Sequence, residues 1–285
     1  MSNSLKTTVL LGLLTGLILW IGERFGGANG MIMAFVFAAA MNISSYWFSD
    51  KIVLAMYRGR EVGPNDAPEL YQTVKDIALR AAIPMPKLFI IPSDAANAFA
   101  TGRNPEHAAV AVTQGILRVM DRDELRGVLA HELSHVKNRD TLISAVAATL
   151  AGAVMMIANM ARWAAIFGGG SRDDRDNNGL QLLAMALLAP IAASLIQMAI
   201  SRSREYQADA SAAQTLGTGE GLARALGKLQ MVSQQIPLDA SPSTAHLFIV
   251  NPLRGRSFAS LFSTHPPLEE RIERLRQLSG RTAGR

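Results

Sequence analysis

Apolar residues in this 285-residue chain are gathered into long runs, and the charged ones fall between them. Four runs reach the roughly 20 mainly apolar residues that a bilayer crossing requires. The first extends from Leu5 to Gly22 and the second lies within Gly26 to Ser49. The third covers Thr141 to Ala161, and the fourth lies within Asn177 to Ser201. Any one of them could be a buried core helix. Four at this length favour transmembrane helices, and the first reads as an uncleaved anchor because the second follows at once. Trp47 stands where an interfacial aromatic belongs, and Pro190 is expected to kink the fourth run.

Between the second and third runs the pattern changes to that of a small α+β unit. Ala67 to Ala82 has helical spacing, with Leu70, Val74, Ile77 and Leu79 mostly on one side, and stops before Pro84. Lys87 to Ile91 predicts a short strand, and Asn97 to Thr101 and Ala108 to Thr113 predict two more around the turn Gly102–Pro105. Asp121 followed by Glu124 resembles a capping box, so a helix is predicted from about Arg122 through His135. After the fourth run, Glu205 to Leu216 and Gly221 to Gln235 read as helices. Ser241 to Ser263 reads as irregular or partly strand, and Leu268 to Leu278 as a charged closing helix.

Composition agrees with a membrane protein carrying a polar portion: 49% of residues are apolar and 18% charged, against an ordinary charged share of about 25%. The formal charge of +5 does not form a basic stripe with interleaved aromatics, which argues against nucleic acid as a partner. Instead it marks topology. Lys6, Lys51, Arg58, Arg60, Lys137, Arg139, Arg202 and Arg204 flank one set of span ends, and Arg24, Arg162, Arg172 and Arg175 the other. The richer set belongs in the cytoplasm. Both termini are then cytoplasmic, and the outer side keeps two short loops, Glu23–Gly30 and Gly168–Asn178. Cysteine is absent, so a metal site must be built from His and carboxylates.

Such a set is present. His131-Glu132-Leu133-Ser134-His135 places two imidazoles four residues apart, on one face of the predicted helix, where both can ligate one ion. Glu132 adjoins the first ligand and is placed to take a proton from a water attacking a peptide carbonyl. Two imidazoles, a carboxylate and an open position suit zinc. Glu205 is the candidate third ligand, because the third and fourth runs form a hairpin that returns it to the membrane face of His135. Asp209, one turn on, could accept the free ring N–H of either histidine. Taken alone, Arg204, Glu205 and Asp209 read equally well as the start of a solvated helix. His107 and His246 have no partner pattern and read as surface residues.

The HExxH run, Glu205–Asp209, Asn97-Ala98-Phe99-Ala100-Thr101-Gly102 and Thr264-His265-Pro266-Pro267 occur in one order, and the chain resembles the HtpX family. These are bacterial membrane heat-shock metalloproteases related to the CAAX prenyl endopeptidases. The resemblance implies one zinc per chain with Glu205 as third ligand, and a site facing the cytoplasm of the inner membrane. It also implies cleavage of misfolded or damaged membrane proteins, a protein quality control and stress-response role. Asn97–Thr101 would then be an edge strand along the cleft, able to pair with an extended polypeptide substrate. Asn97 could hold a substrate carbonyl, or be no more than a turn residue before the strand. His265 could donate to the oxyanion or simply begin the last helix.

The expected architecture is an α-helical membrane protein with four transmembrane helices and a cytoplasmic α+β zincin-like metalloprotease domain. A transmembrane hairpin occupies 1–50, the first part of the protease domain 51–140, a second hairpin 141–201, and the rest of the protease domain 202–285. The rival readings are a prenyl-protein-processing protease and a non-enzymatic membrane scaffold with a decayed motif. Intact His131, Glu132 and His135 speak against the scaffold.

Overall fold

The computed structural model describes residues 3–151, 202–236, 244, 247–249 and 266–282. The third apolar run beyond Ala151, the fourth run, the loop Gly168–Asn178 and most of Ser241–Ser263 lie outside the described residues. So do His246 and His265.

Helix α1 spans Asn3–Met56, but Gly27 breaks it with left-handed φ of 56° and ψ of −144°. The two halves fold back on each other, as the hydrogen bond from Asn42 Nδ2 to Thr15 Oγ1 at 2.8 Å records. The reversal is tight: a Cβ on Gly22 would lie 2.4 Å from the Cβ of Ala34. Helix therefore persists through most of the expected loop Glu23–Gly30, and glycine alone makes the corner. Among the described residues one helix, Gly26–Met56, is long and apolar enough to cross a membrane. Its 31 residues extend for about 46 Å, well beyond a bilayer core of about 30 Å. Its last turns continue into the folded domain, where Val53 and Leu54 pack on Phe99 and Phe248.

The sheet has the order β1-β2-β4-β3, with β1 Arg60–Val62, β2 Lys87–Ile91, β3 Ala98–Gly102 and β4 Ala108–Thr113. β2 and β4 are parallel, and β1 and β3 run antiparallel to their neighbours. Val110 faces Ala100 and Val112 faces Ala98 across the β3–β4 ladder. The turn between them is a 3₁₀ turn, Pro105–His107, started by the Asn104 side chain accepting from the His107 amide. β3 forms one edge of the sheet, the place that the family resemblance implies for Asn97–Thr101. The sequence pattern does not reveal β1, whose three residues are too few to show alternation.

Helix α2, Pro68–Ala81, buries Leu70, Val74, Ile77, Ala78 and Ala81. Leu79 is 81% exposed, so the apolar stripe runs through the alanines instead. Short helix α3, Gln114–Val119, leads into α4, Arg122–Lys137, which opens with the full capping box of Asp121 and Glu124. α4 is the central helix, packed against α2, β3, α6 (Arg202–Leu216) and α7 (Glu220–Gln235). Gly127 permits this: a Cβ there would lie 2.4 Å from the backbone nitrogen of Leu222. Val128, Leu129 and Leu133 are fully buried, each stabilising the fold by about 1.5–3 kcal/mol. α5, Thr141–Ala151, follows a sharp corner at Arg139, whose φ is 59°. The chain closes with α8, Leu268–Thr282, lying on α6 and α7.

Candidate active site

The capping box starts α4 where the helical pattern demands it, and the uninterrupted helix then aligns His131 and His135 on one face. Their Nε2 atoms lie 3.2 Å apart. α6 brings Glu205 to the same point, with Oε1 at 3.5 Å from His135 Nε2 and Oε2 at 3.7 Å from His131 Nε2. Four ligands placed tetrahedrally around zinc at about 2.0–2.1 Å would be about 3.4 Å from one another. Three donor atoms from these residues, all within 4.8 Å of each other, meet that demand. The residues present therefore fit a zinc ion. The sequence's choice of Glu205 brings it to both histidines, although 69 residues intervene between His135 and Glu205.

Each imidazole is held from behind. His131 Nδ1 faces Asp209 Oδ1 at 3.0 Å, where the sequence left either histidine open as the partner. His135 Nδ1 faces Asp140 Oδ2 at 3.2 Å. With both protons on Nδ1, each ring turns the Nε2 lone pair inward. Sequence reasoning did not find Asp140. It belongs to the corner after α4, where its amide donates to the His135 carbonyl at 2.9 Å, and Arg204 lies 3.8 Å from its other oxygen.

Arg271 was also missed. It is fully buried and forks onto Asp209, Nε to Oδ2 at 2.9 Å and Nη2 to Oδ1 at 2.8 Å. Its Nη1 lies 3.5 Å from Glu205 Oε2. The signal was present in the sequence: Arg271 occupies the same helical stripe as the buried Leu268 and Leu275, an unusual place for a charge.

Glu132 is buried, and its Oε2 accepts from the Ala100 amide of β3 at 2.9 Å. The proposed base is thus pinned beside the sheet edge. That edge is partly engaged elsewhere, since Ile249 N donates to the Ala98 carbonyl at 3.3 Å. Thr141 Oγ1 donates to the Gly102 carbonyl. Asn97 is buried at the head of β3, with Oδ1 accepting from the Ala98 amide and its carbonyl accepting from Thr113. His107 is an exposed turn residue on Asn104.

Charge explains the state of these groups. Glu132, Glu205, Asp209 and Asp140 are buried against two guanidiniums, Arg271 and Arg204. Ionised carboxylates and neutral imidazoles would leave two negative charges uncompensated. Without a cation, protons make up the deficit. Burial, with help from the charge of Glu205, pushes the Glu132 carboxyl up to about 8. Burial opposes a charged His135, but the Asp140 hydrogen bond and the charge of Glu205 outweigh it and push the ring up to about 9. Burial holds His131 below its ordinary value despite Asp209. A divalent cation would supply what these two protons supply.

The model of peptidase family M48 matches residues 64–279. The chain belongs to peptidase family M48. Members similar over nearly their whole length include a protease HtpX homolog of Syntrophobacter fumaroxidans, 61% identical over 98% of this chain and 100% of that one. Others are the protease HtpX homologs of Desulforapulum autotrophicum, 57% identical over 100% and 93%, and Thermococcus sibiricus, 56% identical over 96% of each. Among solved structures, the crystal structure of S. mikatae Ste24p is similar at a TM-score of 0.51 and 20% identity. The match takes in 96% of this chain and 65% of that one, and it concerns the fold. As an M48 peptidase, the chain is a metalloendopeptidase.

Proposed function

We propose that this M48 chain is a membrane-integrated zinc endopeptidase. His131, His135 and Glu205 hold one zinc per chain, Glu132 is the general base, and Asp209 and Asp140 orient the imidazoles. The observation that carries the reading is the convergence of two Nε2 atoms and a carboxylate at 3.2–3.7 Å, with Glu132 beside them on the edge of β3. Bound there, zinc supplies a Lewis acid for a scissile carbonyl and lowers the pKa of water towards about 7.

The chain's own residues do the rest. Glu132 takes the proton of the attacking water and returns it to the leaving amine. Arg271 neutralises Asp209, so the carboxylate behind His131 stays buried as one half of a charge pair. An extended substrate adds along β3 through main-chain groups of that edge, displacing contacts such as that of Ile249 with the Ala98 carbonyl, and main-chain pairing makes cleavage tolerant of sequence. Asn97 and His265 are the further candidates for substrate or oxyanion contacts.

In this reading the apolar runs form four spans, with the site at the cytoplasmic face of a bacterial inner membrane. Substrates are misfolded or damaged membrane proteins reached at that surface. The 31-residue apolar helix and the exposed Ile32, Met33, Val36 and Phe37 on it support membrane integration. Replacing Glu205 with Ala tests the ligand set: zinc affinity should fall by more than about 100-fold, beyond what loss of an outer partner produces. Unchanged affinity by isothermal titration would exclude Glu205.

A further inference from the structure

A second concave site lies away from the metal centre, where α1 leaves its apolar stretch. A cavity of about 500 Å³ opens between Trp47, Phe48 and Lys51 of α1, Phe89 of β2, and the turn from Arg103 to Glu106. From Gly26 to Ser49 the helix carries no charged residue, and Asp50 and Lys51 are the first. The cavity therefore sits at headgroup depth on the helix read as a span. The exposed Val36 and Ile43 offer apolar surface leading to it.

Its charges are of both signs. Lys87 and Glu61 pair with each other at 3.2 Å. Lys51, Arg103, Asp50 and Glu106 also line the cavity, and none forms an ion pair among the described residues. The two cations lie over aromatic rings instead: Arg103 is 4.7 Å from the Trp47 centroid and Lys51 is 5.4 Å from that of Phe48. Stacking engages the face of a guanidinium and leaves its in-plane N–H donors free. Two cations and two carboxylates with no ion-pair partner among the described residues, in one cavity at headgroup depth, complement a ligand that carries both charges.

We infer that this cavity binds the headgroup of a zwitterionic phospholipid with a primary ammonium, of the phosphatidylethanolamine type. Arg103 and Lys51 donate to its phosphate. Asp50 and Glu106 accept from its ammonium, and the acyl chains follow the exposed face of α1. A choline headgroup has no N–H to donate, and a glycerol headgroup has no positive charge. The inference rests on Gly26–Met56 being a span, and the test separates the two.

The full chain is first reconstituted into lipid nanodiscs. Failure to enter them would remove the span, and the lipid site with it. With entry established, native mass spectrometry of the detergent-solubilised protein mixed with equal phosphatidylethanolamine, phosphatidylcholine and phosphatidylglycerol reads the preference. The ethanolamine lipid should be retained about ten-fold over the choline lipid, the worth of one charge-assisted hydrogen bond. Asp50→Asn and Glu106→Gln, which weaken the acceptors facing the ammonium, should bring the ratio near parity while leaving the lipid-free thermal midpoint unchanged. Equal retention of the three lipids, preference for the glycerol lipid, or an unchanged ratio in both variants would overturn the site. Stabilisation by inorganic phosphate equal to that by the lipid would overturn it as well.

Discussion

At the scale of single residues, the site is governed by charge balance. In the metal-free centre burial raises the proton affinity of Glu132, and Asp140 and Glu205 raise that of His135, so that protons are expected to offset the missing cationic charge. Zinc binding near pH 7 should therefore release close to two protons, measurable as the buffer dependence of the binding enthalpy. The same shifts set the stability of the metal-free protein. Glu132 is protonated when folded and ionised when unfolded between about 4.5 and 8, and His135 is charged when folded and neutral when unfolded between 6.5 and about 9. In both windows the folded state binds more protons, so stability falls as pH rises. The thermal midpoint in chelator should decline from pH 6.5 to 9, and the increment produced by zinc should grow. A chelator midpoint that rises over this range would contradict the assignment. Removing a partner is costly for a different reason. Asp209→Asn leaves Arg271 buried without its bidentate carboxylate, and about 3–5 kcal/mol of destabilisation is expected in denaturant titrations. Asp140→Asn removes the charge behind His135 and the carboxylate beside Arg204, and zinc affinity should fall about 10–100-fold.

At the scale of elements, what was legible depended on whether a signal was local. The capping box of Asp121 and Glu124 and the four-residue spacing of His131 and His135 are local, and α4 follows both. Glu205 was reached by one topological argument, that a hairpin returns the chain to the same face. β1 and α3 are too short for periodicity to register. Arg271 stands out locally as a charge in the apolar stripe of Leu268 and Leu275, but its partner Asp209, like the role of Asp140, is set by tertiary contacts that no window of sequence displays. Leu79 fits the helical stripe of α2 by spacing, yet alanines pack there instead. Glycine at position 127 is likewise a tertiary requirement, set by the backbone of α7. Gly127→Ala should force α4 and α7 apart and cost about 1–3 kcal/mol, read as a lowered thermal midpoint. It should also lower activity, because α4 carries both imidazoles. An unchanged midpoint would mean that the helices are not held in this register.

For the whole molecule, α1 ties the membrane reading to the catalytic domain. Val53 and Leu54 belong to the same helix as the apolar Gly26–Ser49 stretch and pack with Phe99 of β3 and with Phe248. In the proposed reading the β3 edge would lie a few turns from the bilayer, where polypeptides leaving it would arrive first. The chain has no cysteine, so single introduced thiols report topology cleanly. In intact spheroplasts, a thiol at the Gly26–Gly27 corner should react with an impermeant maleimide, and one at Arg118 only after permeabilisation. The reverse pattern would invert the proposed orientation.

The central claim is that Glu132 performs the chemistry while His131, His135 and Glu205 hold the metal. Casein cleavage and zinc content, measured in parallel on detergent-purified wild type and Glu132→Gln, test it most directly. Wild type should carry about one zinc per chain and cut casein, and the variant should retain the zinc and lose nearly all turnover. A variant that binds zinc and still cuts at the wild-type rate would contradict the account.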